Sequence, residues 1–290
     1  MSETGTRLLE DAETRVEAER DATSAKLSAF DRFASGVDDV PTDSPPASPA
    51  DSGRTIGSPG APTVRSGVGP TAMAVGSDAT DRASVDSRRA VRDLFAETVR
   101  PRSVDDVDVD VDADADGTEP LCVTLAEELG DDVAVALAPS TDRQFTPELK
   151  QGVLEAVDQR RAELETMRGA LDTEATSLES TIETVEEIRE WFRHADETPL
   201  LELGFDALRR RHEALADHRR RCRDRLDRRQ EVLRETTVHG GAAGLEHRTL
   251  VTYLYGNLPS TYPVLTTVLC LLEQCRTAQR AVRDHLTRRV

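Results

Sequence analysis

The sequence predicts an all-α protein: a long antiparallel helical hairpin, coiled-coil-like, with extra packed helices and a disordered linker. Apolar residues recur every seven positions over 147–196, a spacing typical of helices that pack lengthwise. A second long amphipathic segment follows a short break at Pro199, so the two helices are expected to lie antiparallel. Residues 147–196 carry thirteen acids and six bases, whereas 206–235 carry seven acids and eleven arginines. The two helices therefore have complementary charge.

The composition indicates an acidic protein with little material for a thick core. Hydrophobic residues are 37% and aromatics 3%, the net charge is −18, and Lys26 and Lys150 are the only lysines. Surplus carboxylate destabilises a compact chain through self-repulsion, which salt screens. We therefore expect a halophilic source, the alternative being an acidic mesophilic protein. The N-terminus lacks a signal-peptide pattern and the run 264–272 is too short to span a bilayer, so we expect a cytoplasmic protein without a membrane segment.

The N-terminal half alternates helical patterns with segments poor in apolar residues. An amphipathic helix is predicted over 1–37, where Leu9, Val16, Phe30 and Val37 share one seven-residue register. Residues 38–83 are rich in Pro, Ser, Gly and Asp and are predicted to be a disordered linker. A small helical segment is predicted over 84–144. Its parts are helices at about 86–99 and 121–138 and an acidic loop at 105–118.

The C-terminal half holds the hairpin, predicted over 145–237. Thr146 is suited to cap its first helix and Pro147 to begin it, and the pattern continues to about Ala195. The second helix is predicted to begin near Pro199. The apolar seam of the first helix is predicted to consist of Val157, Leu164, Leu171, Leu178, Val185 and Phe192. C-terminal helices over 238–290 are expected to pack on the hairpin.

Patterns that resemble catalytic or metal sites are incomplete. Residues 112–117 resemble the first half of a calcium loop, but the closing glutamate is missing. His212 and His218 are six residues apart and cannot share one helix face as zinc ligands. Cys222 and Cys275 lie on apolar stripes and are expected to behave as small hydrophobes. We therefore predict no catalytic residue, no metal site and no cofactor, and we expect neither an enzyme nor a small-molecule substrate.

Two features could bind a macromolecular partner. The arginines of 206–235 are compatible with nucleic acid, but acids interleave with them at helical spacing and salt weakens phosphate contacts. Pairing between helices is therefore preferred. The segment with Tyr253, Tyr255, Tyr262 and Pro263 either caps the end of the bundle or forms a docking surface for a protein, since tyrosines are favoured interface anchors.

Three stretches carry a resemblance to a known family. They are Phe145-Thr146-Pro147-Glu148-Leu149-Lys150, then Thr198-Pro199-Leu200 with Phe205-Asp206-x-Leu208, and the segment from Tyr253 to Leu265. On these stretches the chain resembles uncharacterised haloarchaeal proteins that share a domain of unknown function. The resemblance implies a helical fold and a halophilic source, and no activity. The leading hypothesis is a non-catalytic interaction, scaffold or regulatory protein that binds a protein partner or itself. The alternative is a nucleic-acid-binding regulator that uses 206–235.

Overall fold

The computed structural model describes residues 2–43, 77–103, 118–141, 143–238 and 244–288. These residues form eight α-helices, a 3₁₀ turn at Arg100–Arg102 and two short strands. The helices are α1 (Ser2–Asp39), α2 (Ser77–Thr98), α3 (Thr118–Leu129), α4 (Asp131–Leu137), α5 (Pro147–Asp196), α6 (Phe205–Val232), α7 (His247–Tyr255) and α8 (Pro263–Thr287); the strands are β1 (Thr236–Thr237) and β2 (Leu245–Glu246). The predicted all-α fold with its helical hairpin is confirmed.

The chain divides into two compact units. Unit 1 consists of Met1–Leu27 and Arg161–Val290, and unit 2 of Ser28–Arg160. Helices α1 and α5 contribute residues to both units.

Unit 1 is a helical bundle of α6, α8 and the unit 1 parts of α1 and α5, to which α7 is added. Contacts at successive positions show that neighbouring helices run antiparallel. These contacts are Arg20 with Asp172 between α1 and α5, Arg221 with Glu187 and Arg229 with Glu174 between α5 and α6, and Gln279 with His212 and Cys275 with Cys222 between α6 and α8. The charges of Glu10 on α1 and Arg189 on α5 also interact. Because neighbouring helices are antiparallel, the apolar and polar stripes of each helix pack against an adjacent helix.

The seven-residue pattern of α5 forms its buried seam, as predicted. Its members Val157, Leu164, Leu171, Leu178 and Val185 are buried, and Phe192 is half-buried. The predicted start of the helix is also confirmed. The Thr146 hydroxyl accepts a hydrogen bond from the Leu149 backbone N–H at 3.3 Å, which satisfies one of the free donors of the first turn.

Unit 2 has a small aromatic core. The rings of Phe33 on α1 and Phe95 on α2 meet edge to face with centroids 5.4 Å apart, a favourable geometry for two aromatic quadrupoles. The segment before α5 is fixed to the end of α1 by two bonds between Asp43 and Phe145. The Asp43 N–H donates to the Phe145 carbonyl at 2.9 Å, and Asp43 Oδ2 accepts from the Phe145 N–H at 2.8 Å.

The predicted linker 38–83 is wrong at both ends. Helix α1 continues to Asp39, and α2 begins at Ser77. The helix can extend this far because no proline or glycine follows Gly76 until α2 has ended. Residues 44–76 and the acidic stretch 104–117, which contains the calcium-like pattern, lie outside the described residues.

Three further boundaries differ from the prediction. The single helix expected at 121–138 is α3 followed by α4, because Gly130 between them has a φ of 89°, a conformation open mainly to glycine. Helix α6 begins at Phe205 rather than near Pro199, after a turn. It ends at Val232, and the last two residues of the range predicted for the hairpin, Thr236–Thr237, form β1, which pairs antiparallel with β2. Gly240-Gly241 between the strands lies outside the described residues.

Candidate functional site

The tyrosine-proline segment predicted as a docking surface is mostly buried. Tyr255 and Pro263 are buried and Tyr262 is half-buried, so the docking interpretation does not hold for Tyr255 and Pro263. Only Tyr253 of the four is well exposed, and its hydroxyl donates to Glu19 on α1 at 3.3 Å. The segment places Tyr255 inside the bundle, where its hydroxyl reaches Glu174.

A buried group of polar side chains lies where α5, α6 and α7 meet. Glu174, fully buried on α5, accepts two hydrogen bonds from Arg229 on α6, at 2.6 and 2.9 Å. It also accepts one from Tyr255 Oη at 2.7 Å and lies 2.7 Å from Nε2 of His247, both on α7. We call these four residues the Glu174 cluster. A carboxylate with this many donors is fully satisfied although it is removed from water.

The partners of Glu174 decide its charge. Burial raises the pKa of the carboxyl, but the hydrogen bonds from His247, Arg229 and Tyr255 outweigh burial and lower the pKa to about 2. Glu174 is therefore ionised at neutral pH. Burial and the neighbouring carboxylate raise the pKa of Tyr255, which keeps its phenol protonated as a hydrogen-bond donor.

The Glu174 cluster was not predicted from the sequence. Glu174 occupies a polar companion position in the α5 heptad, and Arg229 lies in a run rich in arginine. The one available signal was a carboxylate at a position where the helix should be buried, because such a residue requires a buried cation or several donors. His247 and Tyr255 were not identifiable as its partners, since they come from a separate helix.

A cleft of about 470 Å³ opens between α5 and α6 beside the cluster. Hydroxyls of α5 face arginines of α6 across it. Arg225 donates to Ser180 Oγ at 2.6 Å and to Thr184 Oγ1 at 2.9 Å, and Arg229 donates to Ser177 Oγ at 3.2 Å. The hydroxyl row therefore fixes the arginine side chains along the groove.

The arginine-rich helix is paired with its neighbours, as the sequence predicted. Arg221 forms an ion pair with Glu187, and Arg211 donates to the backbone carbonyls of Ala195 and Thr198. Within α6 itself, Arg209 pairs with Glu213, four residues away, and Arg220 pairs with Asp217, three residues away. Many arginines of 206–235 are therefore paired with groups of α5 or of α6 itself.

The α5–α6 turn presents apolar side chains outward. Leu201 is 76% exposed and Phe205 is 51% exposed. The turn is held by Arg211 and by a hydrogen bond of 3.0 Å from the Glu202 N–H to the Pro199 carbonyl. Four acidic residues lie close to the two apolar residues in the sequence, and all four are exposed: Asp196, Glu197, Glu202 and Asp206.

The histidines and cysteines singled out in the sequence lie apart from the Glu174 cluster. The His218 ring is buried against Trp191, with centroids 4.8 Å apart, and burial lowers the pKa of His218. Cys222 and Cys275 are buried in the apolar core between α6 and α8, as expected for small hydrophobes. Within the described residues, no group of three or more His, Cys, Asp or Glu is placed to hold a metal ion.

Comparison with known proteins identifies the family. A family model described as "Domain of unknown function (DUF7260)" matches residues 7–279. The chain belongs to this family. The DUF7260 region begins within α1 and ends within α8, so it contains the complete Glu174 cluster. No curated protein and no solved structure matches the chain. In the part of this DUF7260 chain that the structure describes, no helix is long and apolar enough to cross a membrane.

Proposed function

We propose that the chain is a non-catalytic helical protein, a scaffold or regulator of a halophilic cytoplasm, that binds a distinct protein through its α5–α6 turn. The observation that carries this proposal is the exposure of Leu201 and Phe205 on a fixed turn. Large apolar side chains exposed together favour a contact that removes them from water, and aromatic anchors supply much of the energy of protein interfaces.

The turn is preorganised for binding. Its backbone is already fixed by Arg211 and by the bond between Glu202 and Pro199. A partner therefore orders few additional groups, which lowers the entropic cost of association. The same rigidity keeps Leu201 at the surface instead of letting it fold back on the helices.

The surrounding charge indicates the chemistry of the partner. The turn and its flanks carry the exposed acids Asp196, Glu197, Glu202 and Asp206. A complementary surface would therefore be an apolar pocket with a rim of arginine or lysine. Two copies of this chain meeting turn to turn would bring like charges together. The charge pattern therefore favours a different protein over self-association.

The competing classes have weaker support. Glu174 and His247 could perform acid–base chemistry, but both are fully buried and directed at one another, a geometry suited to stability. The arginines of 206–235 could contact nucleic acid, but Arg211, Arg221, Arg225 and Arg229 are directed at α5. The halophilic setting is supported by the net charge of −18 and the near absence of lysine.

Site-specific crosslinking followed by a binding measurement tests the proposal. A photoreactive amino acid replaces Leu201 in the full chain expressed in its own cells, and a control chain carries it at Leu269, which is also exposed but lies on α8. We expect one protein to crosslink reproducibly from position 201 and not from 269. The purified partner should then bind the wild-type chain at least about tenfold more tightly than the double variant Leu201→Ser/Phe205→Ser, which corresponds to about 1.4 kcal/mol or more.

Three results distinguish the alternatives. Equal weakening by Leu269→Ser would show that general surface apolarity, not the turn, determines binding. A crosslink to a second copy of the chain, with a mass by light scattering that falls for the double variant, would replace the distinct partner by self-association. An absence of any crosslink from position 201 would remove the turn as a docking site.

A further inference from the structure

A second cleft, between α6 and α8, is lined by basic side chains. It has a volume of about 320 Å³ and lies entirely within unit 1. Its lining consists of His212, Arg219, Arg276, Gln279, Arg280 and Arg283. We call it the arginine cleft. Four guanidinium groups that converge on one cleft stand out in a chain whose net charge is −18.

The helical spacing explains the convergence. Arg276, Arg280 and Arg283 lie at positions i, i+4 and i+7 of α8 and therefore share one helix face. Arg219 projects from α6, which packs antiparallel against α8. The arginine cleft consequently collects charge from two elements that the sequence separates.

The floor of the cleft is a buried polar side chain. Gln279, 8% exposed, accepts a hydrogen bond from Arg219 Nη1 through its Oε1 and donates from its Nε2 to the His212 carbonyl at 3.2 Å. Gln279 thereby fixes the orientation of the Arg219 guanidinium. Among the described residues, Arg219 Nε has no hydrogen-bond partner, although this atom is buried. A buried donor without an acceptor is costly, and the cleft ligand would contact the Arg219 guanidinium through its other nitrogens.

Two acids beside the cleft offset part of its charge through exposed ion pairs. Glu273 lies 3.4 Å from Arg276 and 3.3 Å from Arg280, and Asp284 lies 3.9 Å from Arg283. These pairs are exposed, so water and salt weaken them and their side chains can be displaced. Glu273 and Asp284 are absent from the cleft lining, and within the described residues that lining contains no carboxylate.

We propose that the arginine cleft binds a ligand that carries at least two phosphate groups. Guanidinium groups donate paired hydrogen bonds to phosphate oxygens, and one phosphate would engage only part of the four arginines. Phosphate groups come from a small polyphosphorylated molecule or from the backbone of a nucleic acid. Both sources share this chemistry, and the experiment below separates them. The proposal is independent of the docking function of the α5–α6 turn.

Titration calorimetry of the full chain with pyrophosphate tests the proposal, with orthophosphate and a single-stranded oligonucleotide as comparison ligands. We expect one pyrophosphate per chain, with an affinity at least about tenfold above that of orthophosphate. Arg276→Ala/Arg280→Ala should weaken binding about a hundredfold, at roughly tenfold for each lost charged contact. The matched control Arg209→Ala/Arg220→Ala removes two exposed arginines of α6 outside the cleft and should change the affinity less than about twofold.

Each other outcome has a defined meaning. An oligonucleotide that binds more tightly than pyrophosphate and is lost on the same Arg276→Ala/Arg280→Ala change supports the cleft and assigns the phosphates to nucleic acid. Equal weakening by the control pair would show a diffuse charge effect and overturn the proposal. Absence of binding by both ligands at low salt would also overturn it. Circular dichroism of both double variants, expected to match the wild type because all four arginines are at the surface, excludes unfolding as the cause.

Discussion

Replacing Glu174 by glutamine removes the charge at the centre of the Glu174 cluster with almost no change of volume. The Arg229 guanidinium, 2% exposed, then remains buried without a counter-charge. Two routes give the size of the effect. The pKa of Glu174 is lowered from 4.5 to about 2, and at about 1.4 kcal/mol per pH unit this corresponds to about 3 kcal/mol of stability at neutral pH. Breaking one partner of a buried ion pair costs about 3–5 kcal/mol. We therefore expect a loss of about 3 kcal/mol or more.

Urea unfolding followed by circular dichroism measures this loss, and salt gives an internal check. Surface ion pairs are screened by molar KCl, whereas a buried pair is screened much less, so the deficit of Glu174→Gln should persist in 2 M KCl, where the screening length is roughly 2–3 Å. The control is Glu179→Gln, on the same helix but exposed, with an expected change within about 0.5 kcal/mol. A Glu174→Gln protein as stable as the control would refute the assigned role of the cluster.

Three other perturbations have defined outcomes. Because the folded pKa of Glu174 lies below 4.5, its contribution is complete above about pH 4.5 and is lost as the pH falls through about 2; the stability gap between wild type and Glu174→Gln should narrow over that range in acid unfolding curves. Gly36→Ala would place a Cβ 2.3 Å from Leu94 Cδ2 and should cost about 1 kcal/mol or more, whereas Gly152→Ala meets nothing within 4 Å and should gain about 0.5–1 kcal/mol; equal thermal shifts would contradict this. Gly130→Ala, at a φ of 89°, should cost about 1 kcal/mol in the same assay.

The regular parts of the fold could be predicted because they depend on local pattern. The seven-residue repeat from Val157 to Val185 identified the buried face of α5, and Thr146 identified its start. The complementary charges of α5 and α6 predicted their pairing. Short elements were missed because their signals are weak: β1 and β2 have two residues each, and Gly130 breaks a helix that its apolar stripe otherwise favours.

The candidate sites were harder to predict because they depend on which helices become neighbours. The tyrosine content of the 253–263 segment suggested a docking surface, yet Tyr255 is buried and donates a hydrogen bond to Glu174. Arg219 and Arg276 gave no joint signal in the sequence, since α6 and α8 are distant along the chain and meet only in the bundle. Exposure of Leu201 and Phe205 could not be read from their residue types, which normally indicate a core.

The Glu174 cluster also imposes an order on the formation of unit 1. Its members lie at 174, 229, 247 and 255, so a growing chain that ends before α7 has the carboxylate and the guanidinium but lacks the imidazole and the phenol. A carboxylate with open acceptor positions stays hydrated, because drying it would leave those positions unsatisfied. The interior around Glu174 therefore excludes water only once α7 has been synthesised and has docked. Closure of the bundle around Glu174 therefore depends on the synthesis of α7 as well as on that of α5 and α6.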